Sequence, residues 1–208
     1  MNASTTVSRR SRGQFFLLTA LFFGPFVAAW LLYFYFPNLQ PAGRVNHGDL
    51  IDPARPVPAL HLADADGHEI GAPSFSGKWS LVYMGGERCD EVCAHQLYMT
   101  RQVRTRLGRE RGRVQRVYVA PDRSALAMVR AQLGTDHPDM IWLADAGTSG
   151  QRLADFLRPA DPAAIYLFDT RSNWLMVFRG LASGGDANAY MKNLYDDLKH
   201  LLTLSNIG

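Results

Sequence analysis

Residues 80–96 read SLVYMGGERCDEVCAHQ and hold the two cysteines of the chain, Cys89 and Cys93. Ser80 to Met84 is a short apolar run closed by Gly85-Gly86, the pattern of a buried strand. From about Asp90 to Leu107 the spacing predicts a helix, which Gly108 ends. The cysteines therefore sit where a core strand passes into a helix. On a helix, positions i and i+4 share a face with Cβ atoms about 5–6 Å apart, whereas a disulfide needs about 3.8 Å. A bridge between the two requires Cys89 to lie in the loop ahead of the helix.

Such a pair has three uses. Thiolates at a helix N-terminus gain from free backbone N–H groups and the helix dipole, which suits thiol–disulfide exchange; Asp90 and Glu91 work against that gain. Two sulfurs on one face select a soft ion such as Cu(I), but two ligands make a weak site and call for a third. A structural disulfide is the remaining reading, although closing so short a loop adds little through chain entropy.

Working outward, 59–70 (ALHLADADGHEI) predicts a hairpin turning at Asp66-Gly67. Residues 114–120 (VQRVYVA) predict a second core strand, 124–133 a helix, and 140–143 (MIWL) a short strand. A short helix is expected over 149–157. Residues 164–168 and 174–178 flank the turn DTRSN as a closing hairpin. The last helix is expected over 187–204, with Tyr190, Leu194, Leu198 and Leu201 on one face. Alternating strands and helices imply a parallel crossover, and an antiparallel hairpin and a helix follow. That order, with a cysteine pair after the first core strand, is the order of an α/β thioredoxin-like domain, here 59–208.

The N-terminal region is of another kind. Residues 15–36 (FFLLTALFFGPFVAAWLLYFYF) carry no charge and cover roughly 33 Å as a helix, enough for a bilayer core of about 30 Å. No small-x-small cleavage site follows before Pro37, and the segment lacks the polar stripe of a soluble helix, so an uncleaved transmembrane anchor is expected. Arg9, Arg10 and Arg12 precede it and no Lys or Arg follows until Arg44, which places residues 1–14 in the cytoplasm and the rest outside. Trp30, Tyr33 and Tyr35 fit an interfacial belt at the exit end. Residues 37–58 carry five prolines without apolar periodicity and read as an extended tether. An exported domain with two cysteines sits where disulfides form and persist. The net charge of +3 is mild, and 47% hydrophobic residues mark a globular rather than a disordered chain.

Anchor, tether, the hairpin before GKWSLVY, the motif CDEVC and the late segment IYLFDTRSNWLMVF together resemble the Sco/SenC family of respiratory oxidase assembly factors. The resemblance implies a bacterial inner-membrane protein with a periplasmic domain. It implies metal donation or thiol reduction at the dinuclear copper centre of cytochrome c oxidase, with an oxidase subunit or another assembly factor as partner. It also implies Cu(I) held by Cys89, Cys93 and a distant histidine. The chain departs from this pattern in two ways. Asp90 and Ala94 stand where the family has proline after each cysteine. The family histidine lies eight residues before the Asp of the YLFD-like segment, and counting back from Asp169 gives Asp161. This predicts a divergent member without the copper-ligand histidine, its Asp161 facing the sulfurs from the opposite loop as a hard and poor ligand for Cu(I).

Other third ligands are weaker candidates. His95 is turned by about 200° around the helix from Cys93 and is expected to face solvent. His137 would serve only if its loop folded over the motif. Met84 offers a thioether, though core packing is its commoner fate. His47, His61, His68 and His200 have no evident partner. Pro162, which opens PAAIYLF, resembles the cis-proline that faces the cysteine pair in thioredoxins. The run from Arg101 to Arg116 (RQVRTRLGRERGRVQR) holds seven arginines against Glu110 and reads as a solvated face or a docking patch for an acidic partner or anionic lipid. Nucleic acid is excluded outside the cytoplasm, and no Ser–His–Asp set, phosphate loop or zinc-finger spacing is present. The best reading is an anchored accessory factor in oxidase assembly that exchanges thiols through Cys89 and Cys93. The alternative is a scaffold whose cysteines are a structural disulfide.

Overall fold

The computed structural model describes residues 9–35, 46–70, 75–181 and 184–205. The chain divides into two units, Met1–Arg44 and Val45–Gly208. The first contains α1 (Arg9–Tyr35), which is apolar around its whole circumference from Gly13 to Tyr35 and carries Pro25 within it. A helix without a polar stripe has no face to turn to water, and α1 fits a single-pass membrane anchor.

The second unit is built on one eight-stranded mixed sheet of order β1-β8-β7-β4-β5-β6-β2-β3. Its centre is β4 (Trp79–Met84), β5 (Val114–Ala120) and β6 (Met140–Asp145), all parallel. Strands covered on both faces need continuous apolar runs, and these supply them. The hairpin of β7 (Ile165–Phe168) and β8 (Asn173–Phe178) joins antiparallel to β4, with Ile165 opposite Tyr83. At the other edge β2 (Leu62–Asp64) and β3 (Glu69–Ile70) form the small expected hairpin beside β6. Its turn needs Gly67, whose φ is +88.

Strand alternation sorts the core into two layers. Trp79, Leu81, Tyr83, Ile165, Leu167, Met176 and Phe178 face α2 (Glu91–Arg106), α3 (Arg123–Leu133) and α5 (Ala187–Leu204). Val82, Val117, Val119, Tyr166 and Phe168 face the other way, toward Leu60, Phe75 and α4 (Leu153–Leu157). Both crossover helices, α2 and α3, lie on one face, as two successive crossovers of the same hand require. Along α5 the buried stripe is Leu194, Leu198 and Leu202, while Leu201 and Tyr190 pack at its margin.

Two expectations need correction. The segment 37–58 is not a tether throughout, because β1 (Asp49–Pro56) pairs antiparallel with β8 and the compact unit begins at Val45 rather than at 59. Pro53 and Pro56 concealed it; proline is tolerated in an edge strand, where its missing N–H faces no partner. Its entry is clamped by Asp197, 2% exposed, whose carboxylate accepts from His47 N (2.8 Å), Gly48 N (2.9 Å) and His47 Nδ1 (2.9 Å). Residues 37–45 lie outside the described residues. The helix expected over 149–157 is confined to Leu153–Leu157. Gln151 N donates to Thr148 O in a turn through Gly150 at φ +84, and the helix starts only where Asp145 caps it through Leu153 N and Ala154 N.

Candidate functional site

The cysteines meet at the C-terminal end of β4. Cys89 lies in the loop 85–90, and Cys93 is the third residue of α2. They form a disulfide with Cα atoms 5.2 Å apart. As the spacing required, the bridge runs from loop to helix rather than along one helix face. Asp90 is the N-cap of α2 and accepts from Cys93 N at 2.9 Å. Where the Sco/SenC pattern has proline, this chain has a carboxylate that satisfies the helix end itself. Ala94, the second departure, packs against the same core cluster as both cysteines.

An aromatic floor underlies the pair. Tyr83 and Tyr118 have ring centroids 5.9 Å apart, and Trp142 follows at 5.3 Å from Tyr118. Burial pushes the Tyr118 hydroxyl up to about 12. The Tyr83 hydroxyl is raised further, by burial first and then by Tyr118, Asp90 and Asp161. Both phenols stay neutral at ordinary pH. The cysteines are 6% and 3% exposed, and Cys93 opens onto a cleft of 410 Å³ walled by Gly85, Gly86, Arg88, Arg152 and Pro162.

Sequence reasoning missed two parts of the wall. Gly85 lies so close to Tyr118 that a Cβ would overlap its hydroxyl and Cζ, and Gly85 N donates to Val119 O at 2.8 Å. The Gly-Gly pair after a strand was the available signal. Asp145, by capping α4, sets the opposite wall together with Arg152, whose Nη2 donates to Pro121 O at 2.7 Å. No local pattern announces that role.

Among the described residues, no histidine or carboxylate forms a ligand cluster with the sulfurs. Asp161 closes its own turn: Oδ1 accepts from Ala163 N (2.8 Å) and Oδ2 from Gly180 N (2.7 Å). The expectation that it points toward the sulfurs from the opposite loop is corrected, because its carboxylate turns to the backbone N–H groups of Ala163 and Gly180. Pro162 does line the cleft, but its peptide bond is trans; among the described residues the cis bond is Asp52–Pro53. Met84 packs against the layer on the other face of the sheet, as alternation after Tyr83 dictates, yet it also lines the cleft onto which Cys93 opens. His95 is exposed beside Glu91, Met99 and Leu181 on a separate hollow. His47 is held by Asp197, and His61 and His68 sit at the far hairpin against Glu69 and Asp64.

His137 is buried at the opposite end of the sheet, near the start of β5. There Arg116, 1% exposed, donates to His137 Nδ1 (3.3 Å), Asp139 Oδ1 (3.0 Å), Thr100 Oγ1 (3.1 Å) and Leu97 O. Burial and then the positive charges of Arg116 and Arg101 hold the His137 pKa below 6.5, against the opposite pull of Asp139 and Asp136. The unfolded chain therefore binds a proton that the folded chain refuses. His137's contribution to stability is complete above about pH 6.5 and falls as pH drops toward the folded value. Thermal unfolding followed from about pH 7 to about pH 5 should show this loss. His137→Gln should flatten it over that window, and an unchanged pH slope in the variant would contradict the assignment.

The family model of the transmembrane-like, thioredoxin-like C-terminal domain matches residues 79–205, from the first residue of β4 to just past α5. The chain belongs to that family. No curated protein matches it in sequence. The fold of this transmembrane-like, thioredoxin-like protein is also that of Sco proteins. Arabidopsis thaliana ScoI with copper bound is 18% identical at a TM-score of 0.54, over 69% of this chain and 98% of that one. Yeast Sco1 is 21% identical at 0.52, over 69% and 94%. The C-terminal domain of a protein assigned as a thiol-disulfide oxidoreductase in Bacteroides thetaiotaomicron is 14% identical at 0.54, over 72% and 95%. These likenesses concern the fold; the chemistry rests on the residues above.

Proposed function

We propose that this protein is a membrane-anchored, periplasmic accessory factor in cytochrome c oxidase assembly, working by thiol–disulfide exchange at Cys89 and Cys93. The observation that carries the reading is the pair itself: a disulfide at the head of α2, at the end of the central strand, opening onto a cleft. In the reduced protein, one thiolate attacks a partner disulfide and forms a mixed disulfide, releasing the partner's other sulfur as a thiolate. The second cysteine then attacks the mixed bond. The partner leaves as a dithiol, and Cys89–Cys93 ends oxidised, as seen here. An exported dithiol donor restores the pair with two electrons and two protons.

Copper is subordinate in this reading. Solved structures with this fold include one with copper bound. Here two cysteines supply soft donors once reduced, and no described imidazole joins them; the Met84 thioether lines the same cleft as Cys93 but packs against the opposite layer of the sheet. Weak Cu(I) binding at the reduced pair follows. Asp161→Ala should leave Cu(I) affinity unchanged in competition with a chromophoric chelator, while lowering stability by about 1–3 kcal/mol through two orphaned N–H groups. Loss of copper affinity at unchanged stability would restore Asp161 as a ligand.

A second reading has one observation in its favour. Both cysteines are buried, as in a structural bridge of a scaffold protein. Replacing both by serine in a strain that depends on this protein separates the two. Oxidase activity should fall to the level of a deletion under thiol exchange, and activity that survives would support the scaffold.

A further inference from the structure

The arginine run is divided by the structure into used and unused charges. Arg104 donates to Val114 O and Asp139, Arg113 to Glu110, Leu202 O and Ser205, and Arg101 to Asp136 O, while Arg116 is buried. These four build the fold. Arg109 and Arg111 remain on the 3-10 segment Gly108–Arg113, exposed and without a side-chain partner among the described residues. Beside them Arg106 and Lys199 flank the Tyr195 ring, at 4.8 and 5.6 Å from its centroid. Of the nearby acids, Glu110 pairs with Arg113, and Asp196 pairs with Lys192 while also feeling the charge of Arg106. Arg113 reaches to the end of α5, where Leu204 stands 54% exposed.

Two exposed arginines, two further cations at the Tyr195 ring and an exposed leucine at their edge make a surface of mixed basic and apolar character. We propose that this corner binds anionic phospholipid headgroups, the cations meeting phosphates and Leu204 entering the interfacial layer. The proposal rests on α1 being a membrane anchor, which keeps the domain beside a bilayer and so makes weak contacts effective. Ten residues separate Tyr35 from Asn46, a reach of up to about 34 Å. The parallel pairing of β4 and β5, from Trp79↔Val114 to Met84↔Val119, puts this corner at the end of the sheet opposite the cysteines. Docking here turns the Cys89–Cys93 end away from the headgroups, toward partner thiols in the aqueous phase.

The test uses the full chain in nanodiscs of phosphatidylcholine alone, or of phosphatidylcholine with phosphatidylglycerol, and reads amide hydrogen exchange over residues 106–113. Exchange should slow on the order of tenfold in the anionic discs at low salt and recover at high salt. Arg109→Gln with Arg111→Gln should lose that protection, whereas Arg130→Gln, an exposed change on α3, should keep it. Equal exchange in both discs overturns the proposal. Protection by added polyglutamate in neutral discs, without any effect of phosphatidylglycerol, also overturns it and makes the corner a site for an acidic polypeptide. A chain that enters neither disc sinks the anchor reading and the proposal with it.

Discussion

Arg116→Ala is expected to destabilise the domain by about 3–5 kcal/mol, the usual effect of breaking a buried charge pair from one side. The guanidinium joins three elements, taking Leu97 O and Thr100 Oγ1 from α2 and Asp139 from the loop before β6. Burial pulls its pKa down to about 10, still well above neutrality, so it remains a cation. Burial acts to raise Asp139, and the charge and hydrogen bond of Arg116 outweigh it and hold that carboxyl below 3.8. The carboxylate's share of stability is therefore present above about pH 3.8 and lost as pH falls through the lower folded value, separate from the His137 window. Truncation leaves a cavity and an unmatched carbonyl, and takes from Asp139 one of its two guanidinium partners, Arg104 remaining. Urea unfolding of the variant measures the loss. Arg116→Met, which fills most of the space, should lose less, and equal losses would show that the lost charge and hydrogen bonds rather than packing dominate.

Gly85→Ala is the second large effect, expected at about 1–3 kcal/mol and capable of more. Tyr118 cannot swing away from a new Cβ, because its ring is fully buried between Tyr83 and Trp142. Nor can Gly85 retreat without breaking its bond to Val119 O. The strain therefore falls on the loop that carries Cys89. Two readouts follow: a lowered unfolding midpoint, and a faster reaction of the disulfide with small thiols as the loop lifts. Tyr118→Val combined with Gly85→Ala should recover part of the stability through strong non-additivity. Additive losses would mean that the two side chains do not compete for the same space.

These two sites show what the sequence makes legible. The central strands and the helices α2, α3 and α5 could be read from period alone, because packing against a sheet enforces a single apolar face. The requirement that Cys89 precede the helix followed from disulfide dimensions. The edge strand β1 was hidden by its prolines and its exposure, since its place depends on backbone pairing with β8, far away in sequence. The short α4 was misjudged because its cap is Asp145, eight residues before the helix starts. Counting from Asp169 singled out Asp161, but counting says nothing about orientation, and the backbone N–H groups of Ala163 and Gly180 decided that. Arg116 was read as one more member of a charged run; only the fold distinguishes the buried guanidinium from the exposed Arg109 and Arg111.

The central claim is that Cys89–Cys93 is an exchangeable bond rather than a staple. Equilibrating the full chain in detergent with graded glutathione and dithiothreitol buffers, then trapping free thiols, measures it most directly. The account predicts a cooperative two-electron transition in the range of thiol–disulfide oxidoreductases, more oxidising than about −300 mV, with the folded structure retained on both sides. A bond that stays closed below about −300 mV, or whose reduction unfolds the domain, would contradict it.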